Sequence, residues 1–152
     1  MPDALPPDRF KTPRQRWMAV LARADANAVQ TLLGDVPRYN VLRGPEAGLV
    51  MVRGRTGGGG APFNLGEMTA TRCTVRTDGG LVGHAYVAGR NERLAELAAL
   101  ADALLQDPLQ QAALLRRVIE PLAELQEARR ADVAAKASAT RVQFFAMRNM
   151  RA

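Results

Sequence analysis

The sequence is poor in the residues from which catalytic and metal-binding sites are most often built. Its 152 residues contain one cysteine, Cys73, and one histidine, His84. A single cysteine excludes a disulfide within the chain and any zinc or iron-sulfur site whose ligands are cysteines of this chain alone. We therefore expect no metal and no cofactor. A lone thiol also fits a reducing compartment, and we expect the cytoplasm.

Long apolar runs are missing as well. No segment approaches the ~20 consecutive apolar residues that span a bilayer. The first ten residues carry Pro2, Pro6 and Pro7 in place of the apolar run of a signal peptide. We expect residues 1–11 to be a flexible N-terminal segment and the protein to have no membrane contact.

Lysine and aromatic residues are also scarce. Nineteen of the 21 basic residues are arginine, and aromatic residues make up 5% of the chain although 47% is hydrophobic. Arginine binds phosphate and carboxylate groups through two parallel hydrogen bonds, but the codon usage of a GC-rich genome explains the excess equally well. The net charge of +6 admits a basic phosphate- or nucleic-acid-binding module as an alternative function. Because the arginines are interleaved with 15 acidic residues, we expect no nucleic acid partner.

Helices are indicated at the start of the chain. Thr12, Pro13 and Gln15 have the pattern of a capping box with proline at the first helical position. A second helix is predicted over about 26–33, where Gly34 can adopt the left-handed conformation that ends it.

Short strands are predicted next, at 41–42, 49–53, 68–76 and 81–87. Asp78-Gly79-Gly80 indicates a tight hairpin between the last two. A catalytic pair of Cys73 and His84 needs one particular hairpin register, with the turn at Asp78-Gly79. A turn at Gly79-Gly80 or a three-residue turn separates the two side chains, so we expect no catalytic residue in this chain.

The remaining sequence is predicted to be helical. Asn91 can cap a helix whose apolar residues follow a three-four spacing, and Pro121 is expected to end or kink the helical pattern. A last helix is predicted from Leu122 to about Met147. Its apolar stripe can dock on the sheet of this chain or on another subunit, and both alternatives stay open. The candidates for a partner interface there are Arg141, Phe144, Phe145 and Met147.

These elements predict an α+β fold in one domain spanning 1–152. The architecture is a small antiparallel β-meander with N-terminal helices and a long C-terminal helical region packed on it.

A glycine-rich loop between two predicted strands is the main candidate site. Successive backbone N–H groups there can form an anion-binding nest, to which arginine adds a clamp. The loop has no lysine and no helix N-terminus, so we favour a partner interface over a triphosphate site. The candidates for phosphate binding or partner contact are Arg53, Arg55, Gly57, Gly58, Gly59, Gly60 and Arg72. Two nearby carboxylates, Glu46 and Glu67, are expected to pair with arginines or with a partner rather than to act as acid or base.

Five stretches carry a resemblance to a known family: residues 14–18, 48–55, 57–72, 83–90 and 141–147. The most specific are 66–72 (GEMTATR) and 141–147 (RVQFFAM). Along nearly its full length the chain is similar to the G-type subunit of the bacterial phosphonate carbon-phosphorus lyase core complex. One departure is Gly59, which stands where the family often has threonine, so a hydroxyl contact to phosphate is not expected there.

The resemblance implies a non-catalytic subunit that assembles with I-, H- and J-type subunits. In that family the synthase transfers an alkylphosphonate to the ribose C1 of ATP with release of adenine. Catalysis is placed mainly on the I-type subunit, and a separate radical subunit later cleaves the carbon-phosphorus bond. Nucleoside triphosphate and phosphonate are then possible ligands of a shared site.

Overall fold

The computed structural model describes residues 12–55 and 59–140, and it confirms the predicted α+β fold. Within these residues, three strands form one antiparallel sheet in which each strand pairs with the next along the chain. The elements in chain order are α1 (Pro13–Leu21), α2 (Ala26–Leu33), β1 (Tyr39–Arg55), β2 (Pro62–Thr77), β3 (Val82–Ala88), α3 (Glu92–Leu104), α4 (Pro108–Leu114), a π-helical turn (Leu115–Ile119) and α5 (Glu120–Ala139). The single-domain prediction for 1–152 stays a prediction, because residues 1–11 and 141–152 lie outside the described part.

Both N-terminal helices begin as predicted, and the second also ends at Leu33 as predicted. The Thr12 hydroxyl accepts a hydrogen bond from the Gln15 backbone N–H at 3.2 Å, and the Gln15 side chain accepts one from the Thr12 N–H. The Asp25 carboxylate caps α2 by accepting from the backbone N–H groups of Asn27 and Ala28, and Gly34 ends the helix with a φ of 64°. Each cap satisfies backbone groups that have no partner within the helix.

The strands are longer than the sequence indicates. The predicted strands at 41–42 and 49–53 are one strand, β1, and β2 begins at Pro62 rather than at Met68. Gly44 and Pro45 interrupt the pairing as a bulge without ending the strand. Gly44 has a φ of 73°, and a Cβ there would lie 2.5 Å from the carbonyl oxygen of Arg72. Glycine therefore lets the irregular chain stay close to β2.

The core lies between one face of the sheet and α3. This helix packs on all three strands and buries Leu94, Ala98, Leu100 and its later alanines and leucines. Gly83 of β3 permits the approach, because a Cβ there would collide with backbone atoms of α3 at Ala99 and Ala103. The sheet is therefore covered on one side by a helix whose small residues allow close contact.

Pro121 interrupts the helical hydrogen bonding, as predicted. The π-helical turn directly precedes it, and α5 then continues with proline in its first turn. A proline lacks the N–H that an α-helix requires, so the chain changes its hydrogen-bond register before it. Arg117 and Gln126 donate to the backbone carbonyls of Leu33 and Val20, which fastens this region to α2 and α1.

The hydroxyl of Tyr39 donates to Glu96 of α3 at 2.7 Å, and this hydrogen bond raises the pKa of Tyr39 to about 12. This pKa lies above the ordinary value of 10. The hydrogen bond therefore contributes to stability below pH 10, and its contribution is lost as the pH rises to about 12. Over that pH range, the free energy of unfolding should therefore fall less steeply in Tyr39→Phe than in the wild-type chain.

The measurement is denaturant unfolding between pH 8 and pH 12, made on a Cys73→Ala background. Burial also raises the pKa of the Cys73 thiol, which acts with the same sign. An unchanged slope in Tyr39→Phe would show that the hydrogen bond contributes nothing to the pH dependence.

Candidate functional site

The distal part of the β1–β2 hairpin extends beyond the rest of the sheet. The third strand pairs with β2 only from Ala70 onward, whereas β1 pairs with β2 as far as Arg55 and Pro62. We call residues 46–55 and 62–69 the β-arm. At ~3.3 Å per residue, the segment 62–69 carries the arm about 26 Å past the third strand.

The β-arm exposes a concentration of large apolar side chains. Leu49 and Leu65 are 66% and 63% exposed, in strands where solvent-facing positions are ordinarily polar. The exposed set consists of Leu49, Val50, Met51, Phe63, Leu65 and Met68. Large apolar side chains that are exposed together in this way are typical of an interaction site.

The strand register divides the β-arm into two faces. Directly paired residues share a face, and Val50 pairs with Met68 while Leu49 pairs with Thr69. A bulge at Leu65 places its side chain where a Cβ of Gly54 would project, which adds Leu65 to the Val50 side. The apolar face therefore consists of Val50, Val52, Phe63, Leu65 and Met68. The mixed face consists of Leu49, Met51, Arg53, Arg55 and Glu67.

An ion-pair cluster lies at the base of the β-arm. Glu46 accepts hydrogen bonds from Arg43 Nε at 2.8 Å and from Arg72 Nε at 2.6 Å. These bonds lower the pKa of Glu46 and raise the pKa of Arg72. The expectation that Glu46 pairs with arginine is confirmed. Glu67 forms no ion pair with the residues that the structure describes.

The structure separates the predicted arginine candidates into two groups. Arg53 and Arg55 lie at the tip, where Arg55 Nη1 donates to the carbonyl of Gly60 at 3.3 Å. Arg72 lies ten residues from Pro62, the partner of Arg55, so about 30 Å separates them along the strand. One phosphate group therefore cannot be held by Arg55 and Arg72 together, and Arg72 does not lie beside the loop; its partner contact stays a prediction. Gly57 and Gly58, on which the proposed nest depends, lie outside the described residues.

The hairpin register also separates Cys73 from His84. Thr74 pairs with His84 and Cys73 with Ala85, which is the three-residue turn among the three alternatives. Cys73 is buried against α3, whereas His84 is exposed and its Nδ1 lies 3.1 Å from the hydroxyl of Thr74. No hydrogen bond between the thiol and the imidazole is possible in this register.

A buried carboxylate that the sequence reasoning did not single out joins three elements. Asp102 of α3 is fully buried and accepts from Arg14 at 3.1 and 2.7 Å, from the indole N–H of Trp17 at 2.9 Å and from the backbone N–H of His84 at 2.9 Å. The bond to Asp102 raises the pKa of Arg14. An aspartate within the apolar run Leu97–Leu105 was the signal, since a lone buried charge requires partners. Asp102 orients α1 and β3 on α3, and its place is structural.

Helix α5 leaves much of its surface uncovered. It packs on the π-helical turn and on α1 near its beginning, and Leu122 is buried there. Farther along, Val133 is 64% exposed and Arg130 pairs with Glu127 at 3.4 Å. The remaining interface candidates, Arg141, Phe144, Phe145 and Met147, lie outside the described residues, as does the predicted continuation of the helix to Met147.

The described part of the chain contains neither a metal-binding cluster nor a membrane-spanning helix. Within residues 12–55 and 59–140, no three histidine, cysteine, aspartate or glutamate side chains are grouped closely enough to hold a metal ion. None of the helices described there combines the length and the apolar character that crossing a bilayer demands.

Comparison with known proteins gives the family. The model of the family described as "Phosphonate metabolism protein PhnG" matches residues 12–149. A protein of Rhizobium meliloti (strain 1021) named "Alpha-D-ribose 1-methylphosphonate 5-triphosphate synthase subunit PhnG" is 43% identical over 139 residues, covering 88% of this chain and 87% of that protein. The family model spans the helices, the β-arm and the sheet described above, and this chain therefore belongs to the PhnG family of phosphonate metabolism proteins.

Proposed function

We propose that this chain is a non-catalytic subunit of the carbon-phosphorus lyase core complex, in which it is required for transfer of an alkylphosphonate to the ribose C1 of ATP with release of adenine. The relative that is 43% identical is named as a subunit of the synthase that makes such a product. The partners in this proposal are the I-, H- and J-type subunits, with catalysis mainly on the I-type subunit. The location is the cytoplasm.

The observation that carries the subunit role is the exposed apolar surface of the β-arm. Leu49, Leu65 and their neighbours would lie in water if the chain acted alone. Transferring such side chains out of water favours association by roughly 1.5–3 kcal/mol for each one that is fully buried. Binding of a partner is thus favoured, because it buries apolar side chains that the isolated chain leaves exposed to water.

A basic module that binds nucleic acid receives less support. Arg14, Arg43 and Arg72 are paired with Asp102 or Glu46. Arginines that are held by carboxylates of the same chain contribute less to phosphate neutralisation, which needs free cations clustered on one face.

The test is reconstitution. The tagged chain is co-expressed with the I-, H- and J-type subunits of the same genome, and adenine release from ATP and methylphosphonate is measured with and without it. We expect co-purification of the subunits. Omission of this chain should lower adenine release by about 100-fold, because misplaced catalytic groups cost rates of that order.

The control is the pair of variants Cys73→Ala and His84→Ala, which should leave adenine release close to that of the wild-type complex. Turnover by the chain alone would refute the non-catalytic role. Full activity of the complex without this chain would refute its requirement.

A further inference from the structure

We propose that the β-arm inserts into a cleft of a different protein subunit, with apolar walls on both sides of the arm and carboxylates at the floor. This inference rests on the proposed function, since it states how such a subunit attaches. The apolar face would contact one wall, Leu49 and Met51 the other, and the floor would receive Arg53 and Arg55.

The first argument is a change of polarity along the outer side of the sheet, the side opposite α3. Near the base this side is mainly polar, since it carries Thr74, Arg76 and His84 together with the exposed Tyr86. On the β-arm the same side carries the apolar face, beginning with the pair Val50 and Met68. The same sheet surface thus changes from polar to apolar where the third strand ends, which places the contact on the arm and not on the base.

The second argument is that both faces and both edges of the β-arm are open. Leu49 and Met51 on the mixed face are 66% and 53% exposed, so a partner lying on the apolar face alone would leave them in water. Among residues 12–55 and 59–140, no strand pairs with the outer edge of β1, and none besides β1 pairs with β2 before Ala70. A two-stranded ribbon of this kind is marginally stable by itself and prone to nonspecific pairing. A cleft that encloses the ribbon on both sides would stabilise it and prevent nonspecific pairing. A flat partner surface would cover one face only.

The third argument is charge, and it distinguishes a foreign partner from a second copy. Arg53 and Arg55 form no ion pair with the residues that the structure describes, and they lie together at the tip on the mixed face. The chain carries a net charge of +6, so a second copy would be repelled. A partner with carboxylates at the cleft floor would be attracted and oriented tip first.

The test uses the complex that co-purifies with the wild-type chain. Val50→Thr with Met68→Thr removes apolar contact but keeps residues of good β-propensity, at paired positions of the apolar face. We expect the Kd for the partner subunits to rise at least about tenfold, since the lost burial exceeds the 1.4 kcal/mol that a tenfold change represents. Leu109→Thr is the matched control, because Leu109 is 93% exposed but lies on α4, and it should leave the Kd unchanged.

The charge is tested with Arg53→Glu and Arg55→Glu together. We expect the association rate to fall at least about tenfold at low salt, and the difference from wild type to shrink as ionic strength rises. Circular dichroism and thermal unfolding of each variant verify that the core is intact, because the β-arm contributes none of its side chains to it.

The outcomes separate the two proposals. Failure of the wild-type chain to co-purify overturns the proposed function, and this inference with it. If the wild-type chain assembles and Val50→Thr/Met68→Thr binds the partner subunits as tightly as the wild type does, the insertion of the β-arm is overturned and the proposed function stands. A stoichiometric homodimer of the isolated chain that the same variant disrupts would identify a second copy as the occupant and overturn the foreign cleft.

Discussion

Replacement of Asp102 by alanine is expected to lower the free energy of unfolding by about 3–5 kcal/mol. The carboxylate is fully buried, and its oxygens satisfy the Trp17 indole and the His84 backbone N–H. Both donors would be left buried without an acceptor. Arg14 is 39% exposed and can turn toward water, so the two neutral donors account for most of the loss.

The matched control is Asp25→Ala. Asp25 caps α2 from an exposed position, and loss of such a cap costs about 0.5–2 kcal/mol. Denaturant unfolding of the two variants compares the same side-chain truncation at a buried and at an exposed site. A smaller loss for Asp102→Ala than for Asp25→Ala would mean that the network adds nothing to stability.

Gly83→Ala is expected to destabilise the fold by about 3 kcal/mol. A Cβ at this position would overlap backbone atoms of α3 at Ala99 and Ala103, and no flexible side chain can move aside. The helix would have to withdraw from β3. The neighbouring bond from His84 to Asp102 would lengthen, so the variant damages the network as well as the packing.

The control for this prediction is Gly48→Ala, which is also within a strand. No atom lies within 4 Å of a Cβ at Gly48, so alanine there should be neutral or stabilise by about 0.4–1 kcal/mol through the unfolded chain. Thermal and denaturant unfolding compare the free energies of unfolding of the two variants. Equal effects of the two substitutions would contradict the close contact between α3 and β3.

The hairpin shows where prediction from the sequence reached its limit. Asp78-Gly79-Gly80 correctly predicted the turn, but it allowed three registers, and each places His84 differently. The observed Thr74–His84 pairing also places Cys73 and Val75 in the core, next to α3. Burial of one strand face selects the register, and that burial depends on a helix distant in sequence.

The β-arm was missed as a single unit for a related reason. The predicted strands at 41–42 and 49–53 leave out Gly48, Gly54 and the Gly44-Pro45 pair, because local propensity treats such residues as breaks. In the sheet, cross-strand pairing continues past them through bulges as far as Arg55. The candidate arginines were therefore assigned to one loop, although Arg72 belongs to the base of the hairpin.

The features that the sequence by itself determined depend on interactions between residues that are close together in the chain. The caps at Thr12 and Asn91, the interruption at Pro121 and the α+β order follow from groups a few residues apart. Only the tertiary structure decided the hairpin register, the partners of Asp102 and the open faces of the β-arm. These depend on contacts between segments tens of residues apart, whose geometry is set by the packing of α1, α3 and the sheet together and is encoded in no single stretch of the chain.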